Sequence, residues 1–90
     1  MKRRPALVIA TPGGDDAILC QITSRQVRDR YAVGITEMDF SEGTLQKPSN
    51  VRPNRLFSAS NNLLLYRAGH LNDPAVTSVV NRIIEILQAT

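Results

Sequence analysis

Ninety residues bound the molecule to one domain spanning 1–90, with room to bury roughly two thirds of the surface its unfolded chain exposes. The composition is 42% apolar and 21% charged, which excludes disorder as the default, and with no Trp, two Tyr and two Phe the core must be aliphatic. Lys plus Arg exceed Asp plus Glu by 11 to 8 and nine of those bases are Arg, the better fork for phosphate, so the balance leans toward nucleic acid as a partner.

The chain opens on Met1-Lys2-Arg3-Arg4-Pro5, a basic stretch like the start of a signal peptide. The apolar run behind it, Ala6 to Ala10, is too short for that purpose and is interrupted by Thr11-Pro12-Gly13-Gly14-Asp15-Asp16. Nothing approaches the roughly 18 apolar residues of a membrane span, so no membrane partner is expected. Leu7-Val8-Ile9 and Ile18-Leu19-Cys20-Gln21-Ile22 are β-type runs, and the Pro/Gly/Asp cluster between them predicts a hairpin. In an antiparallel hairpin the start of the first strand lies beside the end of the second, which puts Arg4 and Thr23 at one edge of the sheet. Cys20, the single cysteine, cannot form an internal disulfide and packs as a small hydrophobe, so the cytoplasm is the simplest compartment.

Ser24 to Arg30, with Arg25, Arg28 and Arg30 answered only by Asp29, reads as a loop or a single helical turn. Tyr31 to Ile35 is the next strand, with a bulge or bend expected at Gly34. Glu37 to Gly43 reads as an acidic loop ending in a glycine turn, and Thr44 to Val51 as a short strand with Pro48 at an edge or bulge. Arg55-Leu56-Phe57 begins a connection, and Leu63 to Ala68 reads as the last strand. Asp73 can cap a helix with Pro74 at its first position, and Val76, Val79, Val80, Ile83, Ile84 and Leu87 recur at helical spacing over about 15 residues. The fold class is therefore mainly β with a C-terminal helix, an α+β arrangement in which the helix covers one face of the sheet.

The residue types also restrict the chemistry. One His and one Cys supply no paired ligand set, so neither a metal mechanism nor a cofactor is expected. If a nucleic-acid phosphodiester is the partner, breaking it without a metal needs a base for the attacking oxygen, charge stabilisation at phosphorus and an acid for the departing oxygen. The Arg4 guanidinium can donate two hydrogen bonds to phosphoryl oxygens while staying charged, which suits transition-state stabilisation. The Thr23 hydroxyl can hold the scissile phosphate but is a poor base, and Ser24 suits a neighbouring phosphate. His70 stands one residue before Leu71, far from Thr23 in sequence, and takes a structural or exposed role.

Arg4-Pro5 before one strand and Ile22-Thr23-Ser24 at the end of the next resemble the MazF/PemK (Kid) family of toxin endoribonucleases, in which the arginine and threonine are the core catalytic pair. The run Gly43-Thr44-Leu45-Gln46-Lys47-Pro48-Ser49-Asn50-Val51-Arg52-Pro53-Asn54-Arg55-Leu56-Phe57 is similar to the family's stretch ending in valine-arginine and a leucine-phenylalanine turn. Ala68-Gly69-His70-Leu71 resembles the glycine-arginine-leucine ahead of the terminal helix, with His70 in place of the arginine. Family members usually begin with a Gly-Asp-Ile-Val-Leu-Val strand before the Arg-Pro, so the resemblance implies a chain without that first strand and a barrel edge closed another way. It further implies a small curled antiparallel sheet, the Src-homology-like barrel of the MazF/CcdB type.

For function, the resemblance implies a growth-inhibiting toxin endoribonuclease that cuts single-stranded mRNA to leave 2′,3′-cyclic phosphate and 5′-hydroxyl ends. Arg4 and Thr23 would be catalytic, with Arg4 also sharing in proton transfer. Ser24, Arg25, Arg28, Lys47, Ser49 and Arg52 would bind RNA, Lys47 and Ser49 aligning with a charged pair of some members and Ser49 standing where an aspartate can occur. The implied partners are single-stranded RNA, a cognate antitoxin and a second copy in a homodimer, with DNA reached only through the antitoxin complex. The competing expectation is a catalytically silent nucleic-acid- or antitoxin-binding module, since the gyrase poison CcdB shares the fold without nuclease activity.

Overall fold

In the computed structural model, which describes residues 4–64 and 66–89, Gly13 and Gly14 take φ of 127° and 64°. That left-handed backbone, open to glycine at little cost, reverses the chain between β1 (Ala6–Gly13) and β2 (Asp16–Thr23). The expected hairpin forms. Ala6 pairs with Gln21, Leu7 with Cys20 and Val8 with Leu19, and the ladder shifts register after Val8. The Ile22 amide donates to the Pro5 carbonyl at 3.3 Å and carries the pairing one step past the strand.

β3 (Val33–Ile35) is shorter than the run of apolar residues around it, and β5 (Ser49–Ser60) is far longer than expected. Together they complete a four-stranded antiparallel sheet in the order β1-β2-β5-β3. The strand assigned to Thr44–Val51 thus begins only at Ser49 and continues through Arg55-Leu56-Phe57, the segment expected to be a connection. Its irregularity sits at Pro53 rather than Pro48. Arg52 lies opposite Gln21 and Leu56 opposite Cys20, so Pro53, Asn54 and Arg55 are interposed. Proline has no N–H to give a ladder and is tolerated at such a bulge. No bulge falls at Gly34: Val33, Gly34 and Ile35 pair with Val51, Asn50 and Ser49 without a shift.

The acidic segment is a 3-10 turn, Glu37–Asp39, closed by a reciprocal cap between Thr36 and Asp39, and it runs into β4 (Phe40–Gly43). β4 pairs with β6 (Gly69–Leu71) in a separate two-stranded sheet. The last strand is therefore Gly69–Leu71; of Leu63–Ala68, Leu63 closes a second 3-10 turn and Leu65 lies outside the described residues. α1 (Asp73–Gln88) follows, with Asn72 rather than Asp73 as its cap: the Asn72 side chain accepts from the Ala75 amide at 3.0 Å.

Alternation along the strands decides what α1 covers. Cys20 and Ile22 of β2, Val51 of β5 and Ile35 of β3 form one buried cluster with Leu71 and with Ala75, Val79 and Ile83 of α1. Ser49 pairs with Ile35 and, among the described residues, is the one polar side chain that is buried. The result is a curled, half-barrel antiparallel sheet with a C-terminal helix on one face, as expected for fold class. Residues alternating with the core positions, Gln21, Thr23, Asn50 and Arg52, belong to the other face.

Candidate functional site

That second face gathers polar groups in rows across the strands. Thr23 pairs with Asn50, and Asn50 with Gly34 of β3. The β1–β2 register, continued past the Pro5–Ile22 contact, stands Arg4 across from Thr23. The next row is Ala6, Gln21 and Arg52. One row thus joins the hydroxyl of Thr23 to the carboxamide of Asn50, with the Arg52 guanidinium in the adjacent row of this face.

The loop after β2 is tied down at both ends. The Arg25 amide donates to Thr23 Oγ1 at 3.2 Å, and Asn50 Nδ2 donates to the Arg25 carbonyl at 3.3 Å. The Thr23 oxygen thereby accepts from the backbone and keeps its own O–H for an acceptor such as a phosphate oxygen. At the far end Asp29 Oδ1 accepts from the Tyr31 amide at 2.9 Å, while Asp29 Oδ2 stands 3.8 Å from Arg52 Nε. Arg30 lies over the Tyr31 ring, 4.7 Å from its centroid, and donates to the Tyr31 hydroxyl. That hydroxyl contact raises the pKa of Arg30 and keeps it cationic.

Of the residues expected to act, Thr23 and Arg52 fall on this face by strand parity, and Arg4 is exposed two residues ahead of β1. Ser24, Arg25 and Arg28 are exposed on the loop beside it. Lys47 is exposed on the segment leading into β5. Ser49 is a correction: it is buried at 6% exposure, pairs with core residue Ile35 and donates its hydroxyl to the Lys47 carbonyl at 3.0 Å, so it is withdrawn from an RNA surface. Its neighbour Asn50 has the opposite parity and occupies the face instead. Asn50 and Asp29 were missed by sequence reasoning. Asn50 was legible only by counting strand parity from Val51, and Asp29 carried no local signal beyond being the lone acid among three arginines. His70 is exposed on β6, paired with Glu42, in the other sheet.

Behind the site, Cys20 is fully buried and desolvation pushes its thiol up to about 11. A cavity of about 430 Å³ between β3 and α1, walled by Ser78, Asn81, Arg82 and Glu85 of the helix, includes none of the expected site residues. Among the described residues no helix is long and apolar enough to cross a membrane. The sequence profile of one protein family, described as PemK-like, MazF-like toxin of type II toxin-antitoxin system, matches residues 1–87. No curated protein matches the chain significantly.

Proposed function

This chain belongs to the PemK-like, MazF-like toxins of type II toxin–antitoxin systems, and from that premise we propose that it is a metal-independent endoribonuclease cutting single-stranded RNA. Membership implies an antitoxin partner. The observation that supports the nuclease reading is the Thr23–Asn50 pair between β2 and β5, toward which the β1–β2 register leads when it is continued back to Arg4. A charged fork, a hydroxyl donor and an amide are groups that hold a phosphate.

In this reaction the 2′-oxygen attacks the adjacent phosphorus and the 5′-oxygen leaves, giving a 2′,3′-cyclic phosphate and a 5′-hydroxyl. The proton lost by the 2′-oxygen is balanced by the one gained at the 5′-oxygen. Thr23 donates its O–H to a non-bridging oxygen and positions the phosphate. Arg4 faces the charge that grows on the equatorial oxygens, where fixed donors are worth most. Arg52, in the row next to Thr23, adds its charge to the same phosphate, and the exposed Arg25 and Arg28 take flanking ones. Single-stranded substrate is required because a duplex holds the 2′-oxygen away from in-line attack and buries its bases.

The test is incubation of purified protein with an RNA oligonucleotide in excess chelator, with products identified by mass spectrometry. Cyclic-phosphate ends are expected, a 2′-deoxy substitution at the scissile nucleotide abolishes the cut, and Arg4→Ala slows it by about 10²-fold or more. Undiminished cleavage by Arg4→Ala removes Arg4 from the mechanism. Salt-sensitive RNA binding without any cleavage points instead to a silent binding module of the same fold.

We further assign the working form as a cytoplasmic homodimer, where mRNA is the accessible single strand. Exposed apolar side chains support the dimer: Leu56, Phe57, Leu63 and Leu64 lie on or just after the end of β5.

A further inference from the structure

Asp29 and Arg52 belong to different elements, the loop after β2 and the middle of β5, yet they meet at 3.8 Å with side chains only 9% and 21% exposed. Both facing atoms, Asp29 Oδ2 and Arg52 Nε, are buried and have no hydrogen-bond partner. Burying a carboxylate and a guanidinium costs several kcal/mol per ion in the general case, and the attraction between them returns that only when geometry and hydrogen bonding are good. Here the approach is too long for a hydrogen bond, so fold stability alone is a weak reason for the pair.

Geometry supplies a better one. The Tyr31 amide orients the Asp29 carboxylate through Oδ1, so the charge that faces Arg52 is held by backbone. An acid near Nε restrains rotation of the guanidinium and leaves the two terminal nitrogens for another acceptor. Arg52 pairs with Gln21, two residues along β2 from Thr23, a separation of roughly 7 Å along a strand. The same loop is clamped at its other end by Thr23 and Asn50 through Arg25, which couples the loop to the row that holds Arg4.

We propose that Asp29 is a positioning residue that holds the Arg52 fork toward the phosphate bound beside Thr23, an assignment that rests on the nuclease reading above. Asp29 touches no substrate; it acts through Arg52. The class of ligand is the RNA phosphodiester, and the pair supplies orientation before binding rather than new contact area.

The experiment compares wild type with Asp29→Asn, Asp29→Glu, Arg52→Lys and the Asp29→Asn/Arg52→Lys double variant. It measures kcat and KM on an RNA oligonucleotide, thermal melting, and the NMR resonance of the Arg52 Nε–H. Asn keeps the shape and the acceptor for Tyr31 while removing the charge. The expected result is kcat lowered about 10- to 10²-fold in Asp29→Asn with KM within about threefold, and substantial rescue by Asp29→Glu. The double variant should be no more than about threefold slower than Arg52→Lys alone, because both lesions remove one device. Multiplying effects overturn the proposal, and so does a lowered melting point with kcat unchanged. Should wild type cut no RNA, the nuclease reading falls by itself, and the Asp29 assignment is then decided by the resonance and by binding of a 2′-O-methyl oligonucleotide. A displaced Nε–H signal with weaker binding in Asp29→Asn supports it; an unmoved signal or unchanged binding overturns it.

Discussion

Thr23 and Cys20 stand three residues apart on β2 and point to opposite faces, one toward solvent chemistry and one into the core. Burial holds the Cys20 thiol at about 11 against an ordinary value of 9.0. Between those values the unfolded chain loses the proton that the folded chain keeps, so the stabilisation is full below pH 9 and drains away as pH rises toward 11. The wild-type protein should therefore lose up to roughly 2–3 kcal/mol of unfolding free energy across that window through this group, and Cys20→Ala should flatten the decline, read by urea titration at a series of pH values. The same alternation explains the misplaced serine. Ser49 was picked from its place in a motif, whereas a strand admits only every second residue to a face, and parity withdraws Ser49 and presents Asn50.

At the scale of elements, β4 and β6 meet through two glycines. Gly43 has φ of +61°, and a Cβ there would lie 2.3 Å from the Ala68 carbonyl oxygen; a Cβ on Gly69 would lie 2.5 Å from the Glu42 oxygen. Gly43→Ala combines a left-handed backbone with a clash against main chain and should cost about 2–4 kcal/mol, measured by chemical denaturation. The exposed Arg67–Glu42 ion pair beside this contact adds little by comparison. The hairpin and the helix were legible because turn glycines, proline position and 3.6-residue spacing are local signals. The cap was misassigned by one residue because Asn72 and Asp73 are both good cap types, and only the backbone, extended at Asn72 with φ −70° and ψ 163°, separates them.

Across the whole molecule the helix covers one face of the sheet, Thr23, Asn50 and Arg52 belong to the other, and the net charge of +3 favours polyanions. Apolar side chains remain on its surface, Phe57 at 45% and Leu63 at 71% exposure among them. A homodimer that covers these groups should sediment at twice the chain mass at micromolar concentration, and Phe57→Glu together with Leu64→Glu should shift it to the monomer without loss of secondary structure by circular dichroism. A wild-type protein that sediments as a monomer throughout removes the dimer from the proposal.

The sequence by itself determined the β-then-helix order, the opening hairpin and the aliphatic stripe of α1, since each follows from turn chemistry or periodicity within a few residues. Tertiary structure alone decided that β5 runs from Ser49 to Ser60, that its bulge falls at Pro53, and that it pairs with both β2 and β3. Register between distant strands is a property of the assembled sheet, set by which faces can be buried together. That register is what carries Asn50 to the row of Thr23 and Arg52 to the row beside it, where Asp29 of the loop meets the arginine.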